Sequence, residues 1–196
     1  MRAIWLPAIF GVFAVLYYLP EPSVRQPPGE LVPEEPSQTP ASADEWIYRG
    51  YRLTSKASFR IRARVLLKDP YWLGRESDLS PLDLTVGWGL MSDQRILEQF
   101  EIYRGHRCFW LQPETNYARQ KSSEALRHVA NIHLIPATAE LEEQVKKTRQ
   151  GYVVELSGKL VNVQGGDGWT WRTSLSRDDT GQGACELLWV EWARTR

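Results

Sequence analysis

The side chains with the most chemistry to offer are two cysteines, Cys108 and Cys185, three histidines, His106, His128 and His133, and Arg194 near the end of the sequence. Taken along the chain, Asn131, His133, Cys185 and Arg194 supply the parts of a thiol-dependent acyl transfer. His133 would protonate the leaving group, Cys185 would form the acyl intermediate, and the Arg194 guanidinium would bind the developing oxyanion. Glu186 works against this scheme, because a carboxylate beside a thiol raises its pKa. Cys185 has two other readings. Free cysteine is among the most buried residue types, and a disulfide with Cys108 would constrain the unfolded chain by about 4 kcal/mol in the entropic account, given an oxidising compartment. The histidines and cysteines show neither CxxC nor HxxxH spacing, so neither a metal nor a cofactor is expected. His133, between Ile132 and Leu134, reads more simply as a hydrogen-bonded core histidine.

Two groups of residues are candidates for binding. Trp169 and Trp171 lie two apart, on one face of an extended segment, and could stack on sugar rings or peptide prolines. Arg60, Arg62 and Arg64 alternate with apolar residues and would form a basic stripe for an acidic partner or lipid headgroups, against the plainer reading of a solvated strand face. Asp167 and the pair Asp178-Asp179 sit among glycines without a D-x-D-x-D-G series, so they read as turn chemistry and not as a calcium loop.

These residues need elements to place them. Phe59, Ile61, Ala63, Val65 and Leu67 recur at period two and predict a half-buried strand. Leu82 to Leu90 is a second strand, and Ser92 or Asp93 can cap a short helix through Gln99. Phe100–Tyr103 and Arg107–Leu111 form a hairpin around Gly105. A helix follows over Ser122–Val129, then a short strand over 131–135 stopped by Pro136. A capped amphipathic helix runs from Thr138 to about Arg149. Tyr152–Val163 alternates until Val161 and Val163 shift phase, with Gly158 a natural bulge. Residues 166–192 hold four of the nine tryptophans and read as a hairpin at the centre of the core. The expected fold is α+β: a small curved antiparallel sheet or partly closed barrel, OB-like or SH3-like, with two or three short helices.

Before this domain, which is taken to span 44–196, the composition changes twice. Ala3 to Leu19 is an uncharged run after Arg2, near the lower limit of about 20 apolar residues for crossing a bilayer. It lacks a small-residue cleavage site, so residues 1–19 read as an uncleaved single-pass anchor with the bulk of the chain facing outward. Residues 20–43 are rich in proline and acidic, and read as an extended tether. The 24 basic and 24 acidic residues cancel. A domain so near neutrality lacks the footprint that phosphate-backbone binding needs, so nucleic acid is not an expected partner.

Three strings resemble a proteobacterial family of small membrane-anchored proteins. They are Gly87-Trp88-Gly89 through Met91-Ser92-Asp93, the run from Ala130 to Ala137, and the long run from Gly168 through Asp178-Asp179-Thr180-Gly181 to Glu186. The resemblance spans most of residues 55–192 and implies a bacterial envelope protein, in the inner membrane with its C-terminal domain in the periplasm. It carries over no activity and no functional residue. The expected partner is another envelope protein or a cell-wall component. The order anchor, His133, Cys185, Arg194 is also similar to that of sortase transpeptidases, which use a small β-barrel. Here, however, Gly-Gln-Gly-Ala precedes the cysteine in place of the Thr-Leu-x-Thr type strand of those enzymes.

Overall fold

The computed structural model describes residues 23–179, 181 and 183–196. The expected anchor over Ala3–Leu19 lies outside these residues. Among the described residues no helix is long and apolar enough to cross a membrane.

The period-two run around Phe59 belongs to a strand of 20 residues, β3 (Tyr51–Pro70), to which most of the sheet is attached. Its inward residues Ala57, Phe59, Ile61, Ala63 and Val65 are all buried. Two register shifts, between Ser55 and Ala57 and between Val65 and Leu67, let so long a strand bend. On one edge it pairs antiparallel with β1 (Ser37–Pro40), β2 (Glu45–Tyr48) and β4 (Leu82–Gly87). Along the other it pairs with β8 (Val153–Gln164). Between β4 and β8 stand β7 (Val129–Pro136) and β10 (Glu186–Thr195), which are parallel to each other. The order β3-β4-β7-β10-β8 therefore returns to β3. The sequence-based α+β assignment with a curved, largely antiparallel sheet holds.

Among the described residues three short α-helices complete the fold. Helix α1 (Gln94–Leu97) is capped by the Asp93 side chain, which accepts from Arg95 N. Helix α2 (Asn116–Arg127) is capped by Thr115, and α3 (Ala139–Lys146) by Thr138. Strands β5 (Phe100–Arg104) and β6 (Phe109–Pro113) form a separate hairpin. Strand β9 (Thr170–Trp171) adds to the edge of β8.

Two expectations need correction. The 166–192 segment is not a tryptophan hairpin at the centre: β9 and β10 both pair with β8 and not with each other. The inside of the ring is filled by Phe59, Ile61, Leu82, Leu84, Leu134, Leu156 and Leu188, with Trp88 as its buried indole. Trp46, Trp169, Trp171 and Trp189 pack outside the ring over Leu53, Leu79, Ile135, Val161 and Leu187. A narrow barrel-like interior suits Leu and β-branched side chains, whereas an indole keeps one side near water for its N–H. The phase shift at Val161 has the same origin: Leu160 belongs to the inner cluster and Val161 to the outer one.

Nor are residues 20–43, where described, a free tether. From Val24 they run across the domain as a strap. Val24 N donates to Gln150 O at 2.8 Å, Gly29 N to Asp93 Oδ1 at 3.0 Å, and Leu31 N and Val32 N to Ser92 Oγ at 3.0 and 3.1 Å. Val32 is fully buried in the inner cluster, which contributes roughly 1.5–3 kcal/mol. Proline keeps this segment extended, and an extended backbone presents its N–H and C=O groups for docking; one apolar pair, Leu31-Val32, supplies the anchorage.

Candidate functional site

Alternation along β4, β7 and β10 sends Leu82, Leu84, Ile132, Leu134 and Leu188 inward. It sends Asp83, Thr85, Asn131, His133 and Leu187 to the outer face, with Cys185 just before β10. The register places Asp83 opposite His133 and Thr85 opposite Asn131. Polar side chains therefore line a face that is nonetheless covered: Asp83 is 1% exposed and His133 3%.

The cover is the tip of the β5–β6 hairpin. Arg107 sits there with φ 54°, in the left-handed region, at a cost of roughly 1–2 kcal/mol for a residue with a side chain. That backbone conformation turns its guanidinium down onto the sheet. Nη1 donates to Asp83 Oδ1 and Nη2 to Ser80 O, both at 3.0 Å. The guanidinium lies 4.1 Å from the centre of the Tyr71 ring and 5.4 Å from that of Trp171. His133 Nδ1 lies 2.9 Å from Asp83 Oδ2, and its ring packs against Trp171 with centroids 4.8 Å apart. Burial, with Asp83 and Asp69 nearby adding to it, pushes the Tyr71 phenol up to about 12. Asp83, buried, thus has two cationic or protonatable neighbours, which is what a buried carboxylate requires.

Cys185 is part of this network. Its Sγ contacts Arg107 O at 3.6 Å, and Asn131 Nδ2 lies 3.5 Å from it. Burial, with Glu186 and Asp83 adding to it, pushes the thiol up to about 11, so it is protonated at neutral pH. His133 is turned to Asp83. Arg194 lies nine residues further along β10 and pairs with Glu155 at 3.2 Å. The expected trio of Cys185, His133 and Arg194 is therefore not assembled: its arginine is at the other end of the strand, roughly 30 Å away at about 3.3 Å per residue. Cys108 and Cys185 are both free thiols and line the same groove.

That groove, about 1510 Å³, runs between the hairpin, α2 and the segment from Thr170 to Leu187. Trp171 and Arg172 line it at and just after β9, Trp110, 64% exposed, from β6, and Leu126 from α2. Of the two tryptophans expected to form a platform, Trp171 lines the groove. Trp169 instead packs against Tyr51 and under the Arg75 guanidinium; the two rings are tilted by 49° and do not make a flat surface. The arginine stripe is also broken. Arg60 is exposed, Arg62 pairs with Glu34 and Glu155, and Arg64 is buried, donating to Ser92 O and Gln94 Oε1. Among the described residues no three His, Cys, Asp or Glu side chains are grouped to hold a metal ion.

Sequence reasoning missed Asp83, Arg107 and Trp110. Asp83 carries a signal, an acid between Leu82 and Leu84 in an otherwise apolar strand. Arg107 and Trp110 carry none that hairpin residues in general lack. At the inner side of the groove Glu186 is 2% exposed and paired with Arg177 at 2.5 Å; burial holds its carboxyl up at about 7.

In comparisons with known families, curated proteins and solved structures, no protein matched this chain.

Proposed function

We propose that the chain is a single-pass module of the bacterial envelope, anchored in the inner membrane by residues 1–19, whose periplasmic domain works by binding a cell-wall component in the hairpin groove. The ring order β3-β4-β7-β10-β8, with helix α3 between β7 and β8, the third and fourth ring strands in chain order, supports an OB-type barrel. Such barrels bind oligonucleotides or oligosaccharides on the face of their second and third strands, between two of their loops. By that analogy the face is β4–β7 and the loops are 71–81 and 165–185; the analogy suggests a place and no ligand.

The ligand class comes from the groove. The observation that carries it is Trp110, 64% exposed, which lines with Trp171 a cleft large enough for several sugar or amino-acid units. Indole faces suit sugar rings, and Arg172 on the groove wall suits the carboxylates of a wall peptide. Near-neutral net charge argues against nucleic acid. The protonated thiol of Cys185, turned toward a backbone carbonyl, argues for binding over acyl transfer.

The test is titration of the full-length, detergent-solubilised protein with soluble glycan–peptide fragments of peptidoglycan, followed by tryptophan fluorescence. Trp110→Ala is expected to weaken binding about tenfold, in line with the roughly 1–3 kcal/mol that a stacked ring contributes. Cys185→Ala is expected to leave it unchanged. Absence of binding, or equal binding by the Trp110 variant, defeats the reading; tight, salt-sensitive binding of an oligonucleotide replaces it with another.

A further inference from the structure

We infer that the end of the domain where the strap begins is a docking surface for anionic phospholipid headgroups, so that the domain sits directly on the membrane that holds it. The inference rests on the anchor proposed above and adds to it a contact made by the folded domain.

The first argument is chain length. The apolar run ends at Leu19, and Val24 is already pinned, its N–H on Gln150 O at 2.8 Å. Five residues span at most about 18 Å when fully extended. Gln26 Nε2 fixes the same corner by donating to Gly151 O at 2.9 Å. Gly151, at φ 92°, lies so close beneath Val24 that an added Cβ would stand 1.8 Å from the Val24 carbonyl oxygen. The strap cannot peel away from this corner without breaking these contacts, so the turn after α3 stays beside the headgroup layer.

The second argument is what that turn carries. Lys146, Lys147 and Arg149 lie close together at the end of α3, all exposed; Lys146 pairs with Glu142 at 2.6 Å, and the sequence holds no acid between Glu143 and Glu155. Arg25 lies on the strap beside them, its side chain 75% exposed, with Glu98 as its partner at 2.5 Å. Arg196 joins the group because its backbone pairs with Val153, two residues after Gly151. Lys68 reaches the same place, donating to Lys146 O at 2.7 Å. In a chain of zero net charge these cations are gathered where the tether length brings them within about one to two Debye lengths of lipid phosphates. Arg60 and Arg62, the stripe suggested by alternation, are not in this group.

The experiment uses the full-length chain in nanodiscs of neutral phosphatidylcholine, or of phosphatidylcholine with 30% phosphatidylglycerol, labelled briefly with a water-soluble amine reagent and read by mass spectrometry. Labelling of Lys146 and Lys147 is expected to fall at least threefold in the anionic discs and to recover in about 0.5 M salt, while Lys121 on α2 is labelled equally in both. Lys147→Glu with Arg149→Glu should abolish the difference, and an unchanged thermal melt reports that the variant is folded. Incorporation into discs with equal labelling of Lys146 and Lys147 in both lipids overturns this inference and leaves the anchor standing. A chain that does not incorporate overturns both.

Discussion

Asp83 shows what a single buried charge demands of its neighbours. Its two oxygens face Arg107 and His133, and removing the arginine leaves the carboxylate without its fixed cation. Arg107→Ala is therefore expected to lower stability by about 3–5 kcal/mol, measured by urea unfolding, and adding Asp83→Asn should restore much of the loss. Glu186 makes a different demand. Its carboxyl is held at about 7 in the fold and titrates in the ordinary carboxylate range when unfolded. Between those values the unfolded chain has released a proton that the folded chain keeps. Stability therefore falls as pH rises from about 4.5 to 7 and levels off above. Glu186→Gln should flatten that dependence, as thermal melts at pH 5 and pH 8 would report. His133 was legible as a core histidine because Ile132 and Leu134 flank it, although its side chain is buried on the outer face of the sheet and not inside the ring. Its partners were not, because Asp83 and Arg107 reach it through sheet register and a hairpin fold-back that no local spacing records.

Among the elements, the strap is the least expected, and its fastenings can be tested one by one. Asp93 caps α1 and also accepts from Gly29 N; the Arg95 guanidinium and these backbone donors hold its carboxyl down to about 2. Asp93→Ala should cost about 1–2 kcal/mol and speed amide exchange at Gly29. The difference from the parent chain should persist above the ordinary carboxylate range and vanish as pH falls through about 2. Strands β3 and β8 were legible because their apolar residues alternate, and α3 because Thr138 and its charged ends mark it; β1 and β2, short and exposed, were not. Helix α2 begins six residues before the expected Ser122. Its buried positions, Ala118 and Ala125, are too small to give a periodic signal. The strap was misread for a related reason: proline and acid dominate its composition, while two residues, Leu31 and Val32, do the docking.

At the scale of the molecule, the groove and the basic corner are set apart by the length of β10, whose start borders one and whose end meets the other. A domain resting on lipid by that corner holds its groove outward, toward the cell wall. The bulge expected at Gly158 falls instead on the facing strand, where β10 shifts register between Val190 and Trp192; Gly158 packs against it so tightly that an added Cβ would stand 1.9 Å from Trp189 O. Closure onto β3 was not legible, since it depends on pairing Arg52–Arg64 with Val153–Gln164, about a hundred residues apart. The place of β10 has a consequence for how the chain matures. This strand is the furthest along the sequence, yet it stands between β7 and β8 and not at an edge. During synthesis the earlier strands must therefore wait with two unsatisfied borders exposed. A chain stopped before Glu186 should not yield a smaller stable domain but an aggregating one, which a solubility assay of the truncated product would show. In the cell, the interval before residues 186–195 arrive is when this protein most needs a chaperone.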